Sequence, residues 1–163
     1  MAKLYFKYGV MGSSKSAQAL ITKFNYEERG MFVWLIKPSV DTRDGAEMIR
    51  SRIGLECRAE VISPDMSVID RYHALGRRDV IIADEATAML DPSGRKEVMN
   101  TVRSLNQNKG ITVVWITHFM DEAALADRIL VVSDGRVVDT GTPREIFSKV
   151  NRMREPTRIV PAI

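Results

Sequence analysis

The chain has 163 residues, of which 45% are hydrophobic and 28% charged, and its formal net charge is +3. This length fits one globular domain with its own core, and so small a net charge argues against a dedicated nucleic-acid surface. The single cysteine, Cys57, excludes an intrachain disulfide and a cysteine-cluster zinc site, and no apolar run is long enough to span a membrane, so we expect a cytoplasmic protein.

The elements predicted along the chain alternate between strands and helices. In order they are strand 4–8, helix 15–28, strand 31–36, short helix 44–53, strand 59–62, helix 65–75, strand 80–83, helix 92–106, strand 111–117, short helix 121–126, strand 128–132, a hairpin turn at 134–135, strand 136–139 and a helix from 142 to about 150. Asp91 and Thr142 are the predicted N-caps of the last two long helices.

Continuous apolar strands alternating with amphipathic helices indicate a parallel sheet covered on both faces. We therefore predict an α/β fold, a three-layer sandwich with a mostly parallel central sheet and a C-terminal β-hairpin. No linker divides residues 1–150, which we expect to form one domain followed by a tail at 151–163.

A glycine-rich turn follows the first strand and ends in Lys15-Ser16. Compared with the phosphate-loop pattern G-x-x-x-x-G-K-[ST], it has Gly9 in the first place and Ser14 where the second glycine is expected. Backbone N–H groups of such a loop bind the phosphates of a nucleotide, the lysine contacts the β- and γ-phosphates, and the hydroxyl binds Mg²⁺. We therefore expect ATP or ADP with Mg²⁺ as ligands; the predicted phosphate-binding residues are Gly9, Met11, Gly12, Ser13, Ser14, Lys15 and Ser16. The alternative is a strand–turn–helix corner that binds nothing.

A second polar cluster follows the strand 80–83, which ends in Asp84 and Glu85. Because open α/β sheets bind ligands at the carboxyl ends of their strands, this acid pair is expected beside the phosphate loop. Consecutive strand residues point to opposite faces, so Asp84 can bind Mg²⁺ while Glu85 orients an attacking water. His118 follows another apolar strand at the same edge, where it could contact a γ-phosphate. A capping role for the acids and a structural role for His118 are the alternatives.

The first half of the chain resembles bacterial thymidine kinases. The stretches that carry this resemblance are residues 3–16, 25–30, 36–45 and 51–55, and the similar region covers about 1–72. The resemblance includes the serine variant of the loop, and it implies that Asp41 and Arg43 lie near the phosphate-transfer centre.

The second half resembles the C-terminal part of an ABC-transporter ATPase. Residues 84–98, 110–118, 127–138 and 141–147 carry this resemblance, within a region of about 76–150. It implies that Asp84 contacts magnesium, Glu85 acts as general base, His118 is the switch histidine and Asp91 crosses a dimer interface. Both families share the phosphate-loop NTPase core. In that core, the strand that precedes His118 is expected to lie between the strand that leads into the phosphate loop and the strand that ends in Asp84. The chain therefore resembles a recombinant or designed chimera; a natural fusion is the alternative.

Features of both families are missing from the sequence. The zinc-bearing loop that closes over thymidine in the kinases has no counterpart, so we expect no thymidine kinase activity. Residues 72–78 stand where the ABC signature Leu-Ser-Gly-Gly-Gln would precede the acidic strand. An ABC-type homodimer is therefore not expected, although another homodimer is possible. The favoured hypothesis is a phosphate-loop scaffold that binds ATP or ADP with Mg²⁺ and hydrolyses it weakly or not at all; the alternatives are a weak NTPase using Glu85 and a folded scaffold without ligand.

Overall fold

The structure is a computed structural model that describes residues 3–8, 15–38, 47–133 and 135–153. Nine strands and five helices lie in these ranges. In chain order they are β1 (Leu4–Tyr8), α1 (Lys15–Glu27), β2 (Val33–Pro38), β3 (Met48–Arg50), β4 (Glu56–Arg58), β5 (Glu60–Ile62), α2 (Val68–Leu75), β6 (Val80–Asp84), α3 (Pro92–Lys109), β7 (Thr112–Thr117), α4 (Met120–Ala123), β8 (Arg128–Ser133), β9 (Arg136–Gly141) and α5 (Pro143–Met153).

Seven strands form the central sheet in the order β5-β2-β6-β7-β1-β8-β9. Every neighbouring pair is parallel except β8 and β9, which form the antiparallel C-terminal hairpin. β7 lies between β1 and β6, so Val113 is paired with Leu4 on one side and Ile81 on the other. The predicted sheet, its hairpin and the place of β7 are confirmed.

Both faces of the sheet are covered, because its central strands are apolar at consecutive positions. On one face, Trp34, Ile81 and Trp115 pack with α3 residues such as Val102 in the larger core cluster. On the other, Leu35, Ile82 and Val114 pack with Ala19 and Leu20 of α1 and with Ile49 of β3. The predicted three-layer sandwich is therefore confirmed.

Two predicted helix caps are present. The Asp91 carboxylate accepts a hydrogen bond from the Gly94 N–H at 2.8 Å, with Pro92 in the first turn of α3. At α5, the Thr142 hydroxyl accepts from the Glu145 N–H at 3.3 Å, and the Thr142 N–H donates to the Glu145 carboxylate at 2.7 Å. This reciprocal pair is a capping box, which fixes the helix start directly after β9.

The predicted helix at 44–53 is wrong over its described part. β3 and β4 instead form a small antiparallel sheet, in which Ile49 is buried and paired with Cys57. The Gly54 N–H donates to the Ser51 carbonyl, and Gly54 has a φ of 84°, which closes a tight turn between the two strands. Ile49 is buried, whereas Met48 is partly exposed and Arg50 is exposed, which is the alternation expected of a strand. Three residues are too few for this pattern to be recognised in the sequence beside neighbours that favour a helix.

In the described part of the chain, none of the helices has the length and apolar character that crossing a membrane requires.

Candidate functional site

Three neighbouring strands end at one edge of the sheet. The register pairs Tyr8 at the end of β1 with Thr117 at the end of β7, and Asp84 at the end of β6 with Ile116. The polar residues that follow these strands therefore lie side by side. This is the edge at which open α/β sheets bind ligands.

The start of α1 contacts the end of β6 directly. The Ser16 hydroxyl donates a hydrogen bond to the Asp84 carboxylate, with 2.7 Å between Oγ and Oδ2. Asp84 extends from the same face of the sheet as Ile82, the face covered by α1. Two residues 68 positions apart in sequence are thus joined by the fold.

Lys15 lies next to Glu85. Its side chain is 7% exposed, and its Nζ is 3.3 Å from the Glu85 Oε1. Burial of an ammonium group is costly without an opposite charge, and Glu85 supplies one. The fold therefore brings the two predicted motifs together through two contacts, Ser16 with Asp84 and Lys15 with Glu85.

Glu85 has an unusual backbone conformation. Its φ is 51°, the positive value that side chains of L-residues rarely adopt, and its N–H donates to the Ile116 carbonyl at 2.9 Å. This hydrogen bond extends the pairing of β6 with β7 by one residue while the chain turns away from the sheet. Nothing in the sequence indicated this conformation, because glutamate has no preference for it.

His118 approaches the same carboxylate from β7. Its Nδ1 is 3.7 Å from the Glu85 Oε1, and its side chain is 46% exposed. The distance is too long for a hydrogen bond but allows attraction when the imidazole is protonated. The ring lies 4.3 Å from that of Phe119, which in turn lies under the Arg95 guanidinium at 4.0 Å.

The remaining predicted loop residues, Gly9, Met11, Gly12, Ser13 and Ser14, lie outside the described residues. The same holds for Asp41 and Arg43. The site as described therefore consists of Lys15, Ser16, Asp84, Glu85 and His118, the five predicted residues within the described ranges.

Sequence reasoning missed two buried polar residues near this edge. Glu122 of α4 is 3% exposed and accepts hydrogen bonds from Thr87 and Trp115. Lys37 at the end of β2 is 2% exposed and donates to the Met48 carbonyl at 2.8 Å. Charged residues are mostly exposed, so no sequence signal distinguishes these two from surface charges.

The Ser16–Asp84 pair fits a magnesium ion chemically. Hydroxyl and carboxylate oxygens are the hard ligands that Mg²⁺ prefers, at about 2.1 Å in octahedral geometry. Adjacent ligands of such an ion are about 3 Å apart, close to the 2.7 Å between these two oxygens. Ser16 and Asp84 are thus the residues that would hold the ion.

Known proteins similar to this chain fall into two groups. A family model described as thymidine kinase matches residues 2–130, beyond the limit of about 72 expected from the sequence.

Curated relatives include energy-coupling factor transporter ATP-binding proteins EcfA1. The one from Symbiobacterium thermophilum is 61% identical over 74 residues, 45% of this chain and 26% of that protein. The one from Clostridioides difficile is 55% identical over 87 residues, 53% of this chain and 31% of that protein. The chain thus spans less than a third of the length of either relative.

Solved structures with a similar fold include proteins of the ATP-binding cassette type. A bacterial Atm1-family ABC exporter with ATP bound has a TM-score of 0.62 at 17% identity, over 91% of this chain and 35% of that one. A dimeric ATP-binding cassette in a post-hydrolysis state, bound to ADP and Pi, has a TM-score of 0.57 at 17% identity, over 87% of this chain and 86% of that one. These likenesses show the fold. The two resemblances inferred from the sequence are both confirmed.

Proposed function

We propose that this chain, which belongs to the thymidine kinase family, binds the phosphates of ATP or ADP together with Mg²⁺ and hydrolyses the nucleotide weakly or not at all. The observation that carries this proposal is the 2.7 Å hydrogen bond between Ser16 and Asp84. It joins the end of a phosphate-loop motif to the end of an acidic strand, as binding of a magnesium nucleotide requires.

Each described residue has a role in this proposal. The Lys15 ammonium exchanges its contact with Glu85 for the β- and γ-phosphate oxygens. The N-terminus of α1, a helix of 13 residues, adds the partial positive charge of its dipole. Ser16 and Asp84 hold Mg²⁺, which neutralises charge on the phosphates. The loop residues from Gly9 to Ser14 are proposed to surround the phosphates with backbone N–H groups.

Hydrolysis is proposed to be slow because the charge that develops on the γ-phosphate lacks a stabilising partner. Glu85 can orient a water and His118 can contact the γ-phosphate, but the sequence has no ABC signature motif to supply donors from a second subunit. Loss of one such contact costs on the order of 10³ in rate. Thymidine phosphorylation is not part of the proposal.

The origin of the chain belongs to the same proposal. A kinase-like first half and an EcfA1-like second part support a recombinant or designed chimera, with no membrane or nucleic-acid partner and a cytoplasmic location if expressed in a cell. If the chain forms a homodimer, we propose that it does so by a route other than the ABC type.

A thermal-shift experiment tests the binding function. Ligand at 100 times its dissociation constant stabilises a protein by about 2.7 kcal/mol, so the melting temperature should rise in Mg-ADP and Mg-ATP. Lys15→Ala should abolish the rise. Lys109→Ala, which changes an exposed lysine at the C-terminal end of α3, should leave the rise intact. An unchanged melting temperature of the parent at millimolar nucleotide would establish the scaffold without ligand instead.

A weak NTPase is the second candidate, favoured by the position of Glu85 between Lys15 and His118. Steady phosphate release that Glu85→Gln abolishes, with Mg-ADP binding retained, would support it. Release that persists in Glu85→Gln would point to a contaminating enzyme.

A further inference from the structure

Glu122 is a buried acid that contacts two elements next to residues of the candidate site, the turn after Glu85 and the strand before His118. Its side chain belongs to α4, yet the residue is only 3% exposed. Its Oε1 accepts a hydrogen bond from the Thr87 hydroxyl at 2.5 Å, and its Oε2 accepts from the Trp115 indole N–H at 3.0 Å. Thr87 and Trp115 are themselves fully buried.

Thr87 belongs to the turn that carries Glu85. The Ala88 N–H donates to the Glu85 carbonyl at 2.9 Å, and the Leu90 N–H donates to the Thr87 carbonyl at 3.1 Å. These bonds make the segment 85–90 a compact unit. A displacement of Thr87 therefore displaces Glu85 as well.

α4 is connected in the same way to the turn that carries His118. The Phe119 N–H donates to the Thr117 hydroxyl at 3.0 Å, and the Ala123 N–H donates to the Phe119 carbonyl at 3.2 Å. Glu122 thus joins this turn, the strand β7 through Trp115 and the turn of Glu85. A carboxyl group is costly to bury, and two hydrogen bonds offset that cost only while all three elements keep their places.

We propose that Glu122 is a positioning residue, whose buried carboxyl group holds the turn of Glu85 against the turn of His118 so that both side chains face the phosphate site. This inference rests on the proposed function, because Glu85 and His118 need to be positioned only if they act on a bound nucleotide. The arrangement itself exists without nucleotide. It can therefore be tested separately.

The test is an NMR measurement on the nucleotide-free protein. The chain has two histidines, so the ring resonance of His118 is assigned with a single His118→Asn variant. Glu85→Gln removes the charge 3.7 Å from the imidazole and should shift this resonance in the parent. In a Glu122→Ala background the same Glu85→Gln change should shift the His118 resonance less than in the parent, because Glu122 no longer fixes the orientation of the two turns beyond their backbone pairing.

Two further backgrounds keep the test decisive if Glu122→Ala does not fold. Thr87→Val conserves the volume of the side chain but removes the hydroxyl, so the effect of Glu85→Gln on His118 should again be smaller than in the parent. Glu122→Gln retains a carbonyl for the indole and an amide N–H for the Thr87 oxygen, so the effect should remain. A full shift of His118 in folded Glu122→Ala or Thr87→Val would overturn the positioning role.

Calorimetry with Mg-ADP on the same variants separates this inference from the proposed function. Failure of the parent to bind Mg-ADP would remove the proposed function, and with it the purpose of the arrangement. The NMR result reports the arrangement itself, so its failure in a protein that does bind Mg-ADP would overturn the positioning role alone.

Discussion

The Ser16 hydroxyl and the Asp84 carboxylate are 2.7 Å apart, although 68 positions separate them in sequence. Both residues lie within 2–130, the region that the thymidine kinase model matches. Their hydrogen bond shows that the start of α1 and the end of β6 meet at the carboxyl edge of one sheet, with β7 paired to both β1 and β6. The proposed magnesium site depends on this contact.

Removal of the Ser16 hydroxyl should weaken the magnesium dependence of nucleotide binding. We expect Ser16→Ala to reduce the gain in ADP affinity that Mg²⁺ provides by at least about tenfold, equivalent to about 1.4 kcal/mol. Calorimetry with and without Mg²⁺ measures this gain, and Ser104→Ala, which removes an exposed hydroxyl on α3, is the control. If Mg²⁺ increased the ADP affinity of Ser16→Ala as much as that of the parent, Ser16 would not be a magnesium ligand.

The positive φ of Glu85 should be visible in the stability of two matched variants. Glu85→Ala and Glu85→Gly both remove the carboxylate near Lys15 and His118, but only glycine adopts a φ of 51° without strain. We expect Glu85→Gly to be more stable than Glu85→Ala by about 1 kcal/mol. Urea denaturation measures the difference. Greater stability of the alanine variant would contradict the left-handed conformation.

Lys7 should make the stability of the protein depend on pH above neutrality. Its ammonium group is partly buried and donates to the Thr22 hydroxyl at 3.1 Å, and burial lowers its pKa to about 8 from 10.5. Because the unfolded chain then binds more protons between pH 8 and 10.5, the free energy of unfolding should rise as pH rises through this range. The total rise has an upper limit of about 3 kcal/mol.

Lys7→Met removes this titration while keeping a long apolar side chain. We expect the variant to be more stable than the parent at pH 7, with the difference narrowing towards pH 10.5. Urea denaturation across this range measures both curves, and their difference cancels the titration of tyrosines. A constant difference at all pH values would show that the Lys7 pKa is not lowered.

Asp91 should stabilise α3 as its N-cap, whatever role the ABC resemblance implies at a dimer interface. Its carboxylate accepts from the Gly94 N–H at 2.8 Å, so Asp91→Ala should lower the free energy of unfolding by about 1 kcal/mol. Asp91→Ser and Asp91→Asn should restore most of this loss because both side chains can cap. Equal losses in all three variants at low protein concentration would exclude capping as the cause.

Sequence reasoning was successful where the pattern is long or the motif is chemically specific. The apolar runs of β6 and β7, the caps at Asp91 and Thr142, and the location of Lys15-Ser16 and Asp84-Glu85 at one edge of the sheet followed from residue types and spacing. It failed at β3, because a strand of three residues contains too little alternation to compete with helical propensity.

The sequence by itself determined the parallel sheet and the chemical groups available at its carboxyl edge, since both depend on local periodicity and residue type. Only the tertiary structure decided which groups touch: Lys15 with Glu85, Ser16 with Asp84, and Glu122 with Thr87 and Trp115. Such contacts depend on strand order and on the direction in which each chain segment leaves the sheet. The left-handed conformation of Glu85 and the burial of Glu122 result from packing between residues far apart in sequence, and such packing produces no periodic sequence pattern.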